Sequence, residues 1–98
     1  MAEKSQDYSW EYVIADKKLS DGPCELVYAC LVPSASTTTS ALYNGKSVSG
    51  AKIVDLKVAT VDNFQFEPPV PIYCDGGLFV DVGTSVTGIL VQWRELKK

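Results

Sequence analysis

The sequence predicts an all-β fold, a small antiparallel β-sandwich of jelly-roll or immunoglobulin-like type. Three observations carry that prediction. Turn signals recur at short intervals, at Asp21-Gly22-Pro23, Asn44-Gly45, Ser49-Gly50, Pro68-Pro69, Asp75-Gly76-Gly77 and Gly83-Thr84. Glycine and asparagine supply positive φ there, and proline fixes φ while removing a ladder donor. Between the turns lie short runs of β-branched and aromatic residues that alternate with period two. No run shows the 3.6-residue pattern of an amphipathic helix.

Each run places its side chains in turn. Over 8–15, Tyr8, Trp10, Tyr12 and Ile14 fall on one face, and Ser9, Glu11, Val13 and Ala15 on the other. The run 24–32, CELVYACLV, is nearly continuous and apolar. It reads as a central strand covered on both faces, or as one whose outer face meets a partner. TTTSALY (37–43) runs into Asn44-Gly45, and AKIVDLKVAT (51–60) alternates imperfectly. FQF (64–66) turns Phe64 and Phe66 inward. VPIYC (70–74) contains Pro71 and follows Pro69, so it reads as lying at a sheet edge or as entering its sheet late. LFVDV (78–82) sets Leu78, Val80 and Val82 against Phe79 and Asp81, and VTGILVQW (86–93) turns Ile89, Val91 and Trp93 inward. The last three runs, joined by the turns at 75–77 and 83–85, are expected to form a C-terminal β-meander.

The 98 residues make one domain. Residues 1–7 are expected to be a disordered or extended tail. Residues 8–98 form the sandwich, with 8–15 as an arm that could pack on a neighbour. A chain this short buries roughly two-thirds or less of its unfolded surface, so association would strengthen it. With 46% hydrophobic and 21% charged residues the composition is globular. The net charge of −3 and scattered lysines argue against nucleic-acid binding, which needs clustered cations. No run approaches the roughly 18 apolar residues of a membrane helix, and the N-terminal residues lack a signal-peptide core. Synthesis in a cytoplasm is expected.

The residues offer little for catalysis. With no histidine, a Ser-His-Asp triad is excluded and the common mixed metal-ligand sets are missing. No cofactor or metal is expected. Asp75 and Asp81 read as a turn cap and a solvated carboxylate. The DGG segment precedes no helix that would receive a phosphate. Cys24 and Cys30, on one strand, would lie about 20 Å apart, too far to bond. Both are expected to be reduced and mostly buried.

The aromatic row Tyr8, Trp10 and Tyr12 is the candidate interaction feature. It reads either as core or as an anchor for a neighbouring subunit. Three such side chains bury on the order of 500 Å². At ~25 cal/mol per Å² that is roughly 12 kcal/mol of gross transfer energy, an upper estimate. Phe79, outward on its strand, is the second candidate anchor.

Over 42–93 the chain resembles a class of short phage-encoded β proteins. LYNGKSVSGAKIVDL (42–56), FQFEPPVPI (64–72) and GGLFVDVGTSVTGILVQW (76–93) carry the resemblance. In that class a Tyr-(Asp/Asn)-Gly turn precedes a small-residue loop. A Pro-Val segment, a Gly-(Leu/Ile)-aromatic-Val-Asp-Val strand and an apolar last strand follow. The resemblance implies a small virion component made in the host cytoplasm, most of all a head decoration (cement) protein. Its partners would be the major capsid protein or other virion proteins. A homo-oligomer, with a trimer favoured, is expected, and neither nucleic acid nor membrane as partner. The alternative is a carbohydrate- or host-surface-binding module of a tail or fibre. The class has no catalytic residues to carry over, and residues 1–41 lie outside the resemblance.

Overall fold

A computed structural model describes residues 8–34, 38–59 and 62–96. The expected tail over 1–7 lies outside the described residues. Among the described residues there is no helix. Nine strands follow in order: β1 (Tyr8–Val13), β2 (Lys17–Ser20), β3 (Cys24–Pro33), β4 (Thr38–Asn44), β5 (Ala51–Val58), β6 (Phe64–Phe66), β7 (Ile72–Cys74), β8 (Leu78–Asp81) and β9 (Val86–Glu95). They form two antiparallel sheets. The first has the order β1-β9-β3-β6, with β7 also on β3, and the second has the order β2-β8-β4-β5.

These pairings nest. β4 pairs with β5, β3 with β6 and β7, β2 with β8, and β1 with β9. The chain doubles back at the 45–50 loop and runs as a two-legged ribbon. Rolling the ribbon adds the pairings β3–β9 and β4–β8 and sends alternate legs to alternate sheets. This is the jelly-roll order. An immunoglobulin-like order would contain several hairpins of consecutive strands. Here β4 and β5 are the only consecutive strands that pair among those described.

The expected C-terminal meander is therefore not formed. β7, β8 and β9 lie in the first, second and first sheets respectively. The turn at 75–77 is held by β4 rather than by a hairpin of its own. The Gly76 amide donates to Asn44 Oδ1 at 2.9 Å, and Asn44 Nδ2 donates to Asp75 Oδ1 at 3.0 Å. The Gly45 amide donates to the Gly77 carbonyl at 3.2 Å. Gly77 has φ +120°, and a Cβ there would stand 2.6 Å from the Ser20 carbonyl oxygen. The turn is thus wedged between the ends of β2 and β4, and β8 is delivered into the second sheet.

The core lies between the sheets. Val13, Leu26, Leu31, Ile89, Val91 and Trp93 of the first sheet meet Leu42, Leu56, Leu78 and Val80 of the second, all buried. Val80, Ile89, Val91 and Trp93 occupy the core as their strand patterns predict. Val82 is only partly buried, because β8 ends at Asp81. Its amide is capped by Asp16 Oδ1 at 2.8 Å. At one end of the sandwich Glu95 joins the layers, accepting from Trp93 Nε1 at 2.9 Å and from Ser20 Oγ at 2.8 Å.

Residues 8–13, expected within a possible arm, pair along their length with β9 as an edge strand of the domain's own sheet. Cys24 and Cys30 are unbonded to each other. Cys24 is buried inside, whereas Cys30 is half-buried on the outer face. The reason is a bulge at Val27, which opposes Leu26 to Trp93 and Tyr28 to Gln92 and so reverses the alternation along β3.

Candidate interaction surface

Val13 points inward from β1, so its alternation turns Tyr8, Trp10 and Tyr12 outward. They are 55%, 68% and 41% exposed. The row is therefore not core. It forms one border of a larger surface, because antiparallel partners share a face.

Three cross-strand rows run over the outer side of the first sheet. The first is Tyr8–Arg94–Glu25–Tyr73, crossing β1, β9, β3 and β7. Arg94 Nη2 donates to Glu25 Oε1 at 2.8 Å, and the guanidinium carbon stands 5.7 Å from the centre of the Tyr8 ring. Tyr73, at the far end, is 59% exposed. The second row is Trp10–Gln92–Tyr28, and the third is Tyr12–Leu90–Cys30–Gln65. Tyr28, Cys30 and Leu90 are half-buried. Burial pushes the Tyr28 phenol above its ordinary pKa, with Cys30 beside it adding to the rise. The face is broad and aromatic at both borders; Tyr28, Leu90 and Cys30 lie in its middle beside Gln92 and one ion pair.

Phe79 is not part of this surface. It lies on the outer side of the second sheet, in a row formed by Lys18, Phe79, Tyr43 and Lys52. Phe79 is half-buried there, between Lys18 and Tyr43 in register. Lys52 Nζ stands 6.0 Å from the centre of the Tyr43 ring and 3.0 Å from Asp55 Oδ1. This is an ordinary solvated sheet face. The four predicted anchors are thus divided between opposite sides of the sandwich.

Leu90 falls outward as the alternation of β9 predicts, whereas Tyr28, Tyr73 and the Arg94–Glu25 pair are members of the surface that strand patterns alone did not single out. A signal for Tyr28 existed in the unbroken apolar run of β3, one reading of which was an outer face that meets a partner. Tyr73 carried no such signal, since its place depends on β7 pairing with the start of β3.

The four sheet edges differ as well. β2 carries Lys17 and Lys18, and β5 carries Lys52, Asp55 and Lys57. Pro68, Pro69 and Pro71 flank the short strands β6 and β7. Charges and prolines of this kind keep edges from pairing with other chains. β1 has no proline, and its one charge, Glu11, is ion-paired with Lys17. The least guarded edge therefore borders the aromatic face.

Among the described residues no pocket is found, and no group of three His, Cys, Asp or Glu is placed to hold a metal ion. Searches against protein-family models, curated proteins and solved structures return no match to this chain.

Proposed function

We propose that this chain is a structural virion protein of a bacteriophage, a capsid decoration (cement) protein that binds between capsid subunits and stabilises the shell. The observation that carries the reading is the outward aromatic face of the first sheet, bounded by the unguarded edge of β1. Aromatic residues are favoured interface anchors, and a monomer gains nothing by holding Trp10 and Tyr73 in water. The resemblance over 42–93 supplies the phage context. The jelly roll is compatible with it but does not choose, since viral capsid and lectin domains share that architecture.

The chain acts in this reading as a homo-oligomer, with a trimer favoured. Each protomer presents the face to a repeating shell, so that many modest contacts add through avidity. It is made in the host cytoplasm and incorporated into the virion. The reading requires neither cofactor nor catalysis.

A second reading, a carbohydrate-binding tail or fibre module, has one observation in its favour. Tyr8 and Tyr73 flank an Arg–Glu pair, and sugars stack on aromatic rings beside polar groups. The face is open, however, without a groove around that pair among the described residues.

The test combines light scattering with co-sedimentation on expanded capsids of the source phage. The expected result is an oligomer that pellets with capsids, and a Trp10→Ala chain that keeps its β spectrum but pellets poorly. A monomer indifferent to capsids would refute the virion reading. Saturable glycan binding lost in Tyr73→Ala would put the second reading in its place.

A further inference from the structure

Cys24 and Cys74 stand directly opposite each other where β3 pairs with β7. Both are completely buried, so both side chains point to the inner face. Antiparallel partners have Cα atoms about 4.5–5.5 Å apart. That range falls inside the roughly 4.4–6.8 Å spanned by disulfides. Cys74 Sγ lies 3.6 Å from the Ile72 carbonyl oxygen, its neighbour two residues back on β7. Both cysteines are free.

We propose that Cys24 and Cys74 are a disulfide-forming site, a covalent clamp that closes across the two legs of the rolled ribbon under oxidising conditions. Cys30 takes no part. It lies on the opposite face of β3, between Leu90 and Gln65.

The chemistry is thiol–disulfide exchange with a small disulfide such as oxidised glutathione. The Cys24 thiolate attacks one sulfur of the glutathione disulfide. A mixed disulfide forms, the S–S bond breaks, and one glutathione thiolate leaves and takes up a proton. The Cys74 thiolate then attacks the Cys24 sulfur of the mixed disulfide, forming the intrachain bond and expelling the second glutathione. The protein gives up two electrons and two protons, and the oxidant becomes two glutathione thiols. The same exchange can begin at either thiol, since the two stand opposite each other across the strand pair. Cys24 beside it and burial push the Cys74 thiol above its ordinary pKa, so attack by either thiol waits on local opening.

Access comes from the weakness of β7. It has three residues, follows Pro71 and pairs with β3 alone among the described strands. Short edge elements of this kind open locally at small cost. Once formed, the bond would close a loop of roughly 50 residues that contains the ribbon tip, and so restrain the unfolded chain.

The test uses a Cys30→Ser chain, which removes ambiguity about the partner. One sample is held folded with millimolar oxidised glutathione, and another is refolded from urea in a glutathione redox buffer. After alkylation, intact mass and non-reducing peptide mapping read the product. A Cys24–Cys74 bond in either sample with a melting temperature higher than that of the reduced chain, by about 10 °C or more, supports the site. Two alkylatable thiols in both samples would overturn it. So would a bond that lowers the melting temperature, or a wild-type chain whose bond involves Cys30.

Discussion

The ring of Tyr12 lies across Gly88, next along β9 on the outer face from its register partner Leu90. A Cβ at Gly88 would stand 2.4 Å from Tyr12 Cζ. The glycine thus leaves a shallow seat that holds one end of the aromatic row flat on the sheet. Gly88→Ala evicts the ring from that seat. Because the displaced group is the far end of an exposed side chain, the fold should lose no more than about 1 kcal/mol in urea unfolding. Capsid pelleting should nevertheless fall. An alanine chain that binds as well as wild type would show that the seat has no part in docking.

The two tryptophans separate docking from stability. Trp10 is 68% exposed and Trp93 only 7%. Trp10→Ala should change unfolding free energy by less than about 0.5 kcal/mol, as exposed substitutions do. As the loss of the most exposed aromatic anchor of the face, it should weaken association by about 2 kcal/mol or more, roughly 30-fold. Trp93→Ala should cost about 3–5 kcal/mol by emptying the core and leaving Glu95 without its indole donor. Emission spectra of the two single-tryptophan chains provide the check. Trp93 alone should emit in the blue and resist acrylamide, and Trp10 alone should do neither.

Gly77 and Gly22 should respond oppositely to alanine. Gly77 has a positive φ and the Ser20 carbonyl against its missing Cβ, whereas a Cβ at Gly22 would meet nothing within 4 Å. Gly77→Ala should destabilise by about 3 kcal/mol or more, by strain and by loosening the Asn44 clasp. Gly22→Ala should be neutral or slightly stabilising. Chemical denaturation of both variants checks the contrast.

Asp81 makes stability depend on pH in a defined direction. Partial burial raises its carboxyl pKa, and the nearby Asp16 carboxylate raises it further. The fold therefore holds that proton more tightly than the unfolded chain does. The associated stability is present below the unfolded pKa and is lost as pH rises through the folded value. Asp81→Asn should raise the melting temperature at pH 7 by a small margin that shrinks toward pH 4. A larger gain at pH 4 than at pH 7 would contradict this account.

The period-two runs made the strands and their inward residues legible, because alternation is a local property. Ile89, Val91 and Trp93 follow it into the core, and the prolines near β7 mark an edge. What stayed hidden was pairing. Asn44-Gly45 and Asp75-Gly76-Gly77 look like two separate turns, yet they form one hydrogen-bonded clasp across 31 residues of chain. That clasp replaces the expected meander by a roll. The bulge at Val27 was equally silent, since nothing in CELVYACLV marks the residue at which the pattern reverses. Phe79 and Trp10 were both read as candidate anchors, and only the assignment of β8 to the second sheet separates them.

The nested order of the ribbon also imposes a sequence of events in time. β4 and β5 can meet through a short loop, but β1 and β9 must meet across roughly 80 residues. Contacts so distant make jelly rolls slow folders, on the millisecond-to-second scale of all-β domains. Each inner rung shortens the effective loop for the next, so β1 arrives last and leaves first. Substitutions on β1 should then register in the unfolding rate, and those near the tip in the folding rate. The aromatic row rides on the last strand to dock. A half-rolled chain cannot present it on a finished sheet, so the outward aromatic face is complete only when folding is complete.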